Sequence, residues 1–372
     1  MEKSSIPSPR NNTEVSSGAN AHSKFYIPSL DGIRTIAFIT VFLSHAGLGD
    51  LIPGGTGVTV FFFLSGYLIT TLLRQEYDRY ETLNLKLFYL RRVLRIWPSF
   101  YLVLLVGTAL TVLGFLRGEI HLPAFLSQAL HYFNYYRIFV NAEGITAGSL
   151  VYWSLAVEEH FYLIFPLLYL ALRKLGVSSR RQMLIFWGLC LAVLVWRCVL
   201  VFSLRGDHAY TYYATDTRVD SILFGCALGV SSNPMLDAQQ YSNKLWKYLF
   251  LPAGIILMLF SFLYRSPDFR ETFRYTIQGI ALCPIFFTAI RFPSWGLFRV
   301  LNLKWMRFLG VLSYSLYLVH YTVILAIWNY LPQFSKVFQA AISLLISLGL
   351  AYLIYQFIEL PIGQLRKKFS RT

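Results

Sequence analysis

Residues 29–45 read "SLDGIRTIAFITVFLSH": a polar entrance leads into an apolar run that has Arg34 at one end and His45 at the other. On an α-helix, residues eleven positions apart lie about 16 Å apart along the axis. Eleven steps of about 100° return to within about 20° of the starting direction, so both side chains point to the same side. We therefore expect one helix face to present a cation at one depth and a titratable base at another.

The composition is that of an integral membrane protein. Apolar residues make up 56% of the chain and charged residues only 14%, whereas charged residues approach about 25% in soluble domains. The formal net charge of +15 is explained first by cytoplasmic loops rich in Lys and Arg, and a nucleic-acid partner is the weaker interpretation. All four cysteines lie in apolar stretches without metal-ligand spacing, so neither a disulfide framework nor a metal site is predicted.

Hydropathy and loop charge together predict an all-α, polytopic bundle of about ten transmembrane helices with both termini in the cytoplasm. The predicted spans are 33–48, 56–73, 97–116, 150–172, 182–204, 217–231, 246–264, 275–290, 308–330 and 338–360. The spans 33–48 and 217–231 are shorter than the usual ~20 residues, which predicts an off-centre position or a water-filled cavity beside them.

One further apolar segment, 122–139, is short and interrupted by polar groups. If it crossed the bilayer, the basic cluster between residues 173 and 181 would lie outside, against the usual placement of Lys and Arg. We therefore expect this segment to lie in the interface or to dip back.

The chain divides into three parts. Residues 1–25 are rich in Ser, Asn and Pro and lack the apolar core of a signal peptide, which predicts a disordered cytoplasmic tail. Residues 26–362 form the transmembrane domain, and 363–372 a basic cytoplasmic tail. We expect a multi-pass protein of the cell (cytoplasmic or inner) membrane, surrounded by lipid.

Ionisable side chains within membrane spans are costly, so each is a candidate for function. Near the predicted cytoplasmic face, Arg34 and the cluster Arg91, Arg92 and Arg95 form a basic tier. The cluster is equally typical of an anchor for anionic lipid headgroups. Arg34 is equally typical of a long side chain that reaches the interface from a helix end.

Toward the opposite face, His45 and Glu158 lie at similar depth in separate spans. A base whose proton is managed by a carboxylate is a recurring catalytic arrangement, so we expect the two to meet across a shared cavity. For the other polar groups of this tier, ion pairing or packing between helices is an open alternative to a functional role: Asp216, Arg218, Asp220, His160 and His320.

Six motifs follow one another along the chain. They are the Arg34 and His45 pair after "LDG", then "VFFFLSGYLIT", "FYLRRVLRIWPSFY", "WSLAVEEHFYLIFPLL", "DTRVDSILFG" and "LGVLSYSLYLVH". In this order they resemble the membrane acyltransferase-3 family, which includes the O-acetyltransferases of bacterial lipopolysaccharide, capsule and Nod-factor sugars. The resemblance covers residues 25–362.

The resemblance implies ten helices, a cytoplasmic acyl-coenzyme A donor that is acetyl-coenzyme A by default, and an acceptor hydroxyl on a carbohydrate or glycolipid. It implies that His45 is the essential base and that Arg34 either helps to hold the donor or polarises its thioester. Coenzyme A is a polyanion with a long, thin arm, so the basic tier of Arg34, Arg91, Arg92 and Arg95 is suited to its phosphates.

The acceptor side is assigned to Trp153, Ser154, Asp216, Arg218, Tyr317 and His320. Among these, Trp153, Ser154 and Tyr317 are candidates for stabilising a tetrahedral oxyanion, because Arg34 lies too deep. His160 stands where the family is expected to have glutamine. The chain stops twelve residues after Leu360, so a second acyl-transfer step would need a separate acyl-accepting protein.

Two other classes of protein fit spans that contain carboxylates and histidines. A proton-coupled transporter is the main rival, but no paired Gly- or Pro-broken helices are found in corresponding halves of the chain. A non-catalytic membrane scaffold is the other, and it would tolerate replacement of His45.

Overall fold

The computed structural model describes residues 27–140, 143–206 and 208–369, so the predicted disordered tail at 1–25 lies outside the described residues. Within these ranges the regular structure is helical. The helices, in chain order, are α1 Pro28–Leu43, α2 Gly54–Tyr80, α3 Leu85–Val112, α4 Leu122–Ala129, α5 Phe133–Phe139, α6 Ser149–Lys174, α7 Ser179–Ser203, α8 His208–Tyr213, α9 Thr215–Val230, α10 Asn243–Leu263, α11 Pro267–Glu271, α12 Phe273–Arg291, α13 Phe298–Leu301, α14 Lys304–Tyr330 and α15 Lys336–Lys367.

Eight helices of the described ranges are long and apolar enough to cross a membrane, namely α2, α3, α6, α7, α10, α12, α14 and α15. They coincide with eight of the ten predicted spans, and the all-α, polytopic fold class is confirmed. The two remaining spans correspond to α1 and α9, each 16 residues long. Their crossing stays a prediction. The segment 122–139 forms α4 and α5, of 8 and 7 residues, which are too short to span a bilayer.

Helices α2 and α9 pack along one another at the centre of the bundle. Two glycines make this possible, one on each helix. A Cβ atom on Gly66 of α2 would lie 2.0 Å from the carbonyl oxygen of Ile222, and one on Gly225 of α9 would lie 2.0 Å from the carbonyl oxygen of Phe63. Small residues at such crossings let the backbones approach, which supplies van der Waals contact where lipid provides no hydrophobic driving force.

We expect Gly225→Ala to destabilise the protein by about 1–3 kcal/mol, because the added methyl group meets backbone that cannot rotate away. Gly349→Ala on α15 is the matched control, since nothing lies within 4 Å of the corresponding Cβ position. Thermal unfolding in detergent, followed by size-exclusion chromatography, measures both variants. Equal midpoints for Gly225→Ala and wild type would contradict the close α2–α9 contact.

Helix α1 packs against α2 and α14. Its contact with α14 is close, because a Cβ atom on Gly310 would lie 1.9 Å from the carbonyl oxygen of Asp31. At its end, α1 continues into a π-helical turn over Ser44–Leu48. This packing sets the "LDG" entrance and the π turn of the α1 segment against the helix that carries Tyr317 and His320.

The two ends of the described chain lie on the same side of the bundle, because Ile27 and Lys367 line the same cavity. Of the predicted basic tail at 363–372, the structure describes residues 363–369, and α15 runs to Lys367. That this side faces the cytoplasm stays a prediction.

Candidate active site

A basic cavity of about 620 Å³ opens between α1, α3 and the end of α15. Its cationic lining residues are Arg34, Arg92, Arg95, Arg366 and Lys367. Arg34 Nη1 donates to Asp31 Oδ1 at 2.9 Å. Among the described residues no carboxylate lies within 4.0 Å of the guanidinium groups of Arg92, Arg95 or Arg366, and Arg92 instead lies over the rings of Phe88 and Tyr162. Five cations and two carboxylates, Asp31 and Glu359, thus line the cavity, and Arg92, Arg95 and Arg366 have no direct ion pair.

A second cavity of about 160 Å³ adjoins the first and shares Arg34, Arg92 and Arg95 with it. We call it the carboxylate cavity, because Glu158 and Glu159 line it. Tyr162 Oη donates to Glu158 Oε2 at 2.7 Å. Glu159 Oε1 is buried without a hydrogen-bond partner.

Ser154 and Tyr317, two candidates for oxyanion stabilisation, also line the carboxylate cavity. Their hydroxyl oxygens lie 2.7 Å apart, and both hydroxyls are within bonding distance of the carbonyl oxygen of Val151, at 3.1 Å from Ser154 and 3.0 Å from Tyr317. Each hydroxyl has a single proton, so in this arrangement both protons are used within the protein.

The third cavity, of about 150 Å³, contains His45 and is called the histidine cavity. Its lining residues include three aromatic residues, Trp153, Tyr212 and Tyr317, and two arginines, Arg270 and Arg274. Val58 and Tyr317 line both this cavity and the carboxylate cavity. The three cavities thus follow one another from the basic cavity to His45, and neighbouring cavities share wall residues.

His45 is hydrogen bonded to a second histidine. Its Nδ1 lies 2.9 Å from Nε2 of His320, and Nδ1 of His320 lies 2.8 Å from the carbonyl oxygen of Tyr317. A carbonyl oxygen only accepts, so we infer that His320 carries its proton on Nδ1 and accepts at Nε2. His45 then donates from Nδ1, which leaves its Nε2 free to accept a proton from a molecule in the histidine cavity.

The expected contact between His45 and Glu158 is not formed. His45 bonds to His320 and lines the histidine cavity, whereas Glu158 bonds to Tyr162 and lines the carboxylate cavity. Arg34 lines the basic and carboxylate cavities, and His45, which follows α1 in the π turn, lines the histidine cavity. The two side chains thus open into neighbouring cavities rather than one.

Arg91 does not line any of the three cavities. Its Nη2 lies 3.1 Å from Glu76 Oε2 and its Nη1 donates to the carbonyl oxygen of Phe369. Glu76 is buried, and a buried carboxylate needs a cation nearby. This pairing accounts for Arg91 and separates it from Arg92 and Arg95.

Several residues assigned to the acceptor side lie behind the cavities rather than in them. His320 is completely buried behind His45. Asp216 accepts hydrogen bonds from three surrounding side chains, those of Tyr135, Tyr210 and Trp196. Arg218 is completely buried, and its guanidinium lies 3.9 Å from the ring centre of Tyr275 and 5.2 Å from that of Trp153.

Asp220 and His160 have the alternative role named above, ion pairing or packing between helices. Asp220 forms a fully buried ion pair with Arg197 at 2.7 Å. His160 Nδ1 lies 2.8 Å from Thr215 Oγ1, so it links α6 to α9 and lines none of the three cavities.

Sequence reasoning missed Asp31, Arg270 and Arg274 as members of the site. The spacing of Asp31 and Arg34 is a signal that was available, because residues three apart on a helix are neighbours. Arg270 and Arg274 belong to a stretch that reads as an ordinary charged loop. Only the packing of α11 and α12 brings them to His45.

Comparison with known proteins gives one family. The family model described as an acyltransferase domain matches residues 27–356. The peptidoglycan O-acetyltransferase OatA of Listeria monocytogenes is 30% identical over 353 residues, which cover 92% of this chain and 56% of that protein. The O-acetyltransferase OatA of Staphylococcus aureus is 31% identical over 369 residues, which cover 93% of this chain and 58% of that protein. No solved structure matches the chain significantly.

The chain thus spans less than three-fifths of the length of these two relatives. The match includes all six motifs, the cavities and the His45–His320 pair, with the exception of the last residues that line the basic cavity. The resemblance predicted from the motifs is confirmed. This multi-pass membrane protein belongs to the membrane acyltransferase-3 family.

Proposed function

We propose that this protein is a membrane O-acyltransferase that moves an acyl group, acetyl by default, from acyl-coenzyme A to a hydroxyl of a carbohydrate or glycolipid. The observation that carries this proposal is the series of three cavities between the unpaired arginines and His45. The names of both relatives support acetyl as the acyl group, and the name of the Listeria monocytogenes protein supports a cell-wall glycan as the kind of acceptor. The cytoplasmic membrane is the proposed location.

The donor enters from the basic cavity. Arg92, Arg95 and Arg366 lack carboxylate partners within 4.0 Å in the described chain and offer planar forks suited to phosphate oxygens. The pantetheine arm is thin enough to follow the carboxylate cavity past Tyr317. Its thioester then lies near His45, far from the phosphates.

The chemistry takes place in the histidine cavity. Nε2 of His45 accepts the proton of the acceptor hydroxyl while the hydroxyl oxygen bonds to the thioester carbonyl carbon. The C–S bond then breaks with its electron pair on sulfur, and the imidazolium returns the proton to the departing thiolate. His320 positions the base, because its own proton is held by the carbonyl oxygen of Tyr317.

The direct test uses purified protein in lipid nanodiscs with acetyl-coenzyme A and a soluble cell-wall glycan fragment. We expect release of the coenzyme A thiol together with an O-acetylated glycan, seen by mass spectrometry. Nanodiscs prepared in the same way without the protein are the blank. Thiol release no greater than this blank would contradict the proposal and favour a transporter or scaffold.

Arg95→Gln is expected to raise the Michaelis constant for acetyl-coenzyme A about tenfold with little change in turnover, because a ground-state phosphate contact is lost. Arg95 is exposed within the cavities, so the substitution leaves no buried group unpaired. Lys86→Gln, an exposed cation on the same helix that lines none of the cavities, is the control. If Arg95→Gln alters only expression or lipid dependence, its role is lipid anchoring.

A further inference from the structure

We infer that the histidine cavity binds an anionic acceptor, a carbohydrate that carries a carboxylate or a phosphate close to the hydroxyl that is acylated. This inference rests on the proposed function and concerns which acceptors the site takes. It is carried by Arg270 and Arg274, which line the cavity together with His45.

The lining residues of the histidine cavity include two arginines and no acidic residue. Among the described residues, no carboxylate lies within 4.0 Å of the guanidinium of Arg270 or Arg274. The neighbouring acid, Glu271, instead accepts a hydrogen bond from Thr211 at 2.6 Å. The positive charge of this cavity is therefore not balanced by a direct ion pair.

Arg274 supplies the stronger observation, because it is only 4% exposed. Its Nη2 donates to the hydroxyl of Tyr275 at 2.7 Å, but its Nε is buried without a hydrogen-bond partner. A buried charged donor left unpaired is expensive. A ligand anion in the cavity would offset that cost.

A third arginine adds to the positive potential from behind the cavity wall. Arg218 is completely buried, its Nε also lacks a partner, and it lies over Tyr275 and close to Trp153. Aromatic rings stabilise a cation only in part. The guanidinium groups of Arg218 and Arg274 lie 3.9 and 4.7 Å from the ring centre of Tyr275. This arrangement concentrates positive charge beside the histidine cavity.

The donor does not explain this charge. In the proposed arrangement the phosphates of coenzyme A remain in the basic cavity, and the part of the donor that reaches His45 is a neutral thioester. The anion that pairs with Arg270 and Arg274 therefore belongs to the acceptor. Trp153 and Tyr212, which line the same cavity, offer ring faces on which a sugar can stack.

The test compares acceptors that differ in one anionic group and keep the same free 6-hydroxyl. N-acetylmuramic acid is paired with its methyl ester for the carboxylate, and glucose 1-phosphate with glucose for the phosphate. We expect at least one acid to exceed its neutral partner about tenfold or more in kcat/KM. Arg274→Gln and Arg270→Gln are expected to bring that ratio close to one, whereas Arg117→Gln, an exposed arginine outside the three cavities, keeps it.

Equal rates with acidic and neutral acceptors in the wild-type protein would overturn the inference, and so would a preference that persists in both arginine variants. A loss of the same size with every acceptor, and in hydrolysis of acetyl-coenzyme A, would assign Arg274 to the oxyanion and also overturn it. Thermal shift with the same four sugars needs no turnover. If no acyl transfer is detected at all, the proposed function fails, yet selective stabilisation by an acidic sugar that requires Arg274 would still support the anionic site.

Discussion

His45→Gln is expected to lower acyl transfer by about 100- to 10,000-fold, the range typical of a lost general base. Glutamine keeps the size and a hydrogen-bonding end but has no basic nitrogen. His45 is half-buried and bonds only to His320 among the described side chains, so we expect the variant to insert and fold. Initial rates of thiol release and glycan acetylation measure the loss.

The matched control for this prediction is His121→Gln. The His121 side chain is 52% exposed and lines none of the three cavities, so the same chemical change should leave the rate unaltered. The His45→Gln variant should also keep the stabilisation that coenzyme A confers in a thermal shift, because the basic cavity is intact. Turnover within about threefold of wild type would remove His45 from the role of general base.

His320→Leu is expected to lower turnover by about 100-fold while the Michaelis constant for acetyl-coenzyme A stays unchanged. Leucine cannot accept the proton of His45 Nδ1, so the imidazole of His45 is no longer held in the tautomer that leaves Nε2 free. His320 is fully buried and lines none of the cavities, so it has no contact through which to alter donor binding.

His320→Gln separates this positioning role from simple packing. The amide oxygen of glutamine can accept from His45, so we expect it to restore a substantial part of the activity that leucine loses. Parallel measurements of kcat and KM for both variants, with thermal unfolding as a check on folding, decide the matter. Equal losses in the leucine and glutamine variants would indicate that His320 acts through packing alone.

Much of the architecture was predictable because bilayer physics acts on short stretches of sequence. An apolar run of about 20 residues must become a helix, since every backbone polar group needs a partner in lipid. This rule located eight helices that the structure contains, from Gly54–Tyr80 to the last span. The same rule identified 33–48 and 217–231 as unusually short. They correspond to α1, which packs against α2 and α14, and to α9, which packs against α2 and α7.

The grouping of side chains was less predictable, because it depends on how helices distant in sequence approach. Arg91 and Arg92 are adjacent in the chain, yet Arg91 pairs with Glu76 while Arg92 lines two cavities. No spacing rule distinguishes them. Arg91 is directed to the carboxylate of Glu76 on α2, whereas Arg92 lies over the rings of Phe88 and Tyr162.

The sequence by itself determined the fold class, the family and the two residues proposed as the ends of the site, Arg34 and His45, because these are local patterns of hydropathy and motif. Only the tertiary structure decided which other side chains lie beside these two residues. Gly310 lets α14 lie close to α1, and this packing brings His320 to His45; α11 and α12 bring Arg270 and Arg274 to the same cavity. The physical reason is that burial costs and helix periods act over a few residues, whereas a site forms from groups hundreds of residues apart that meet only when the helices pack.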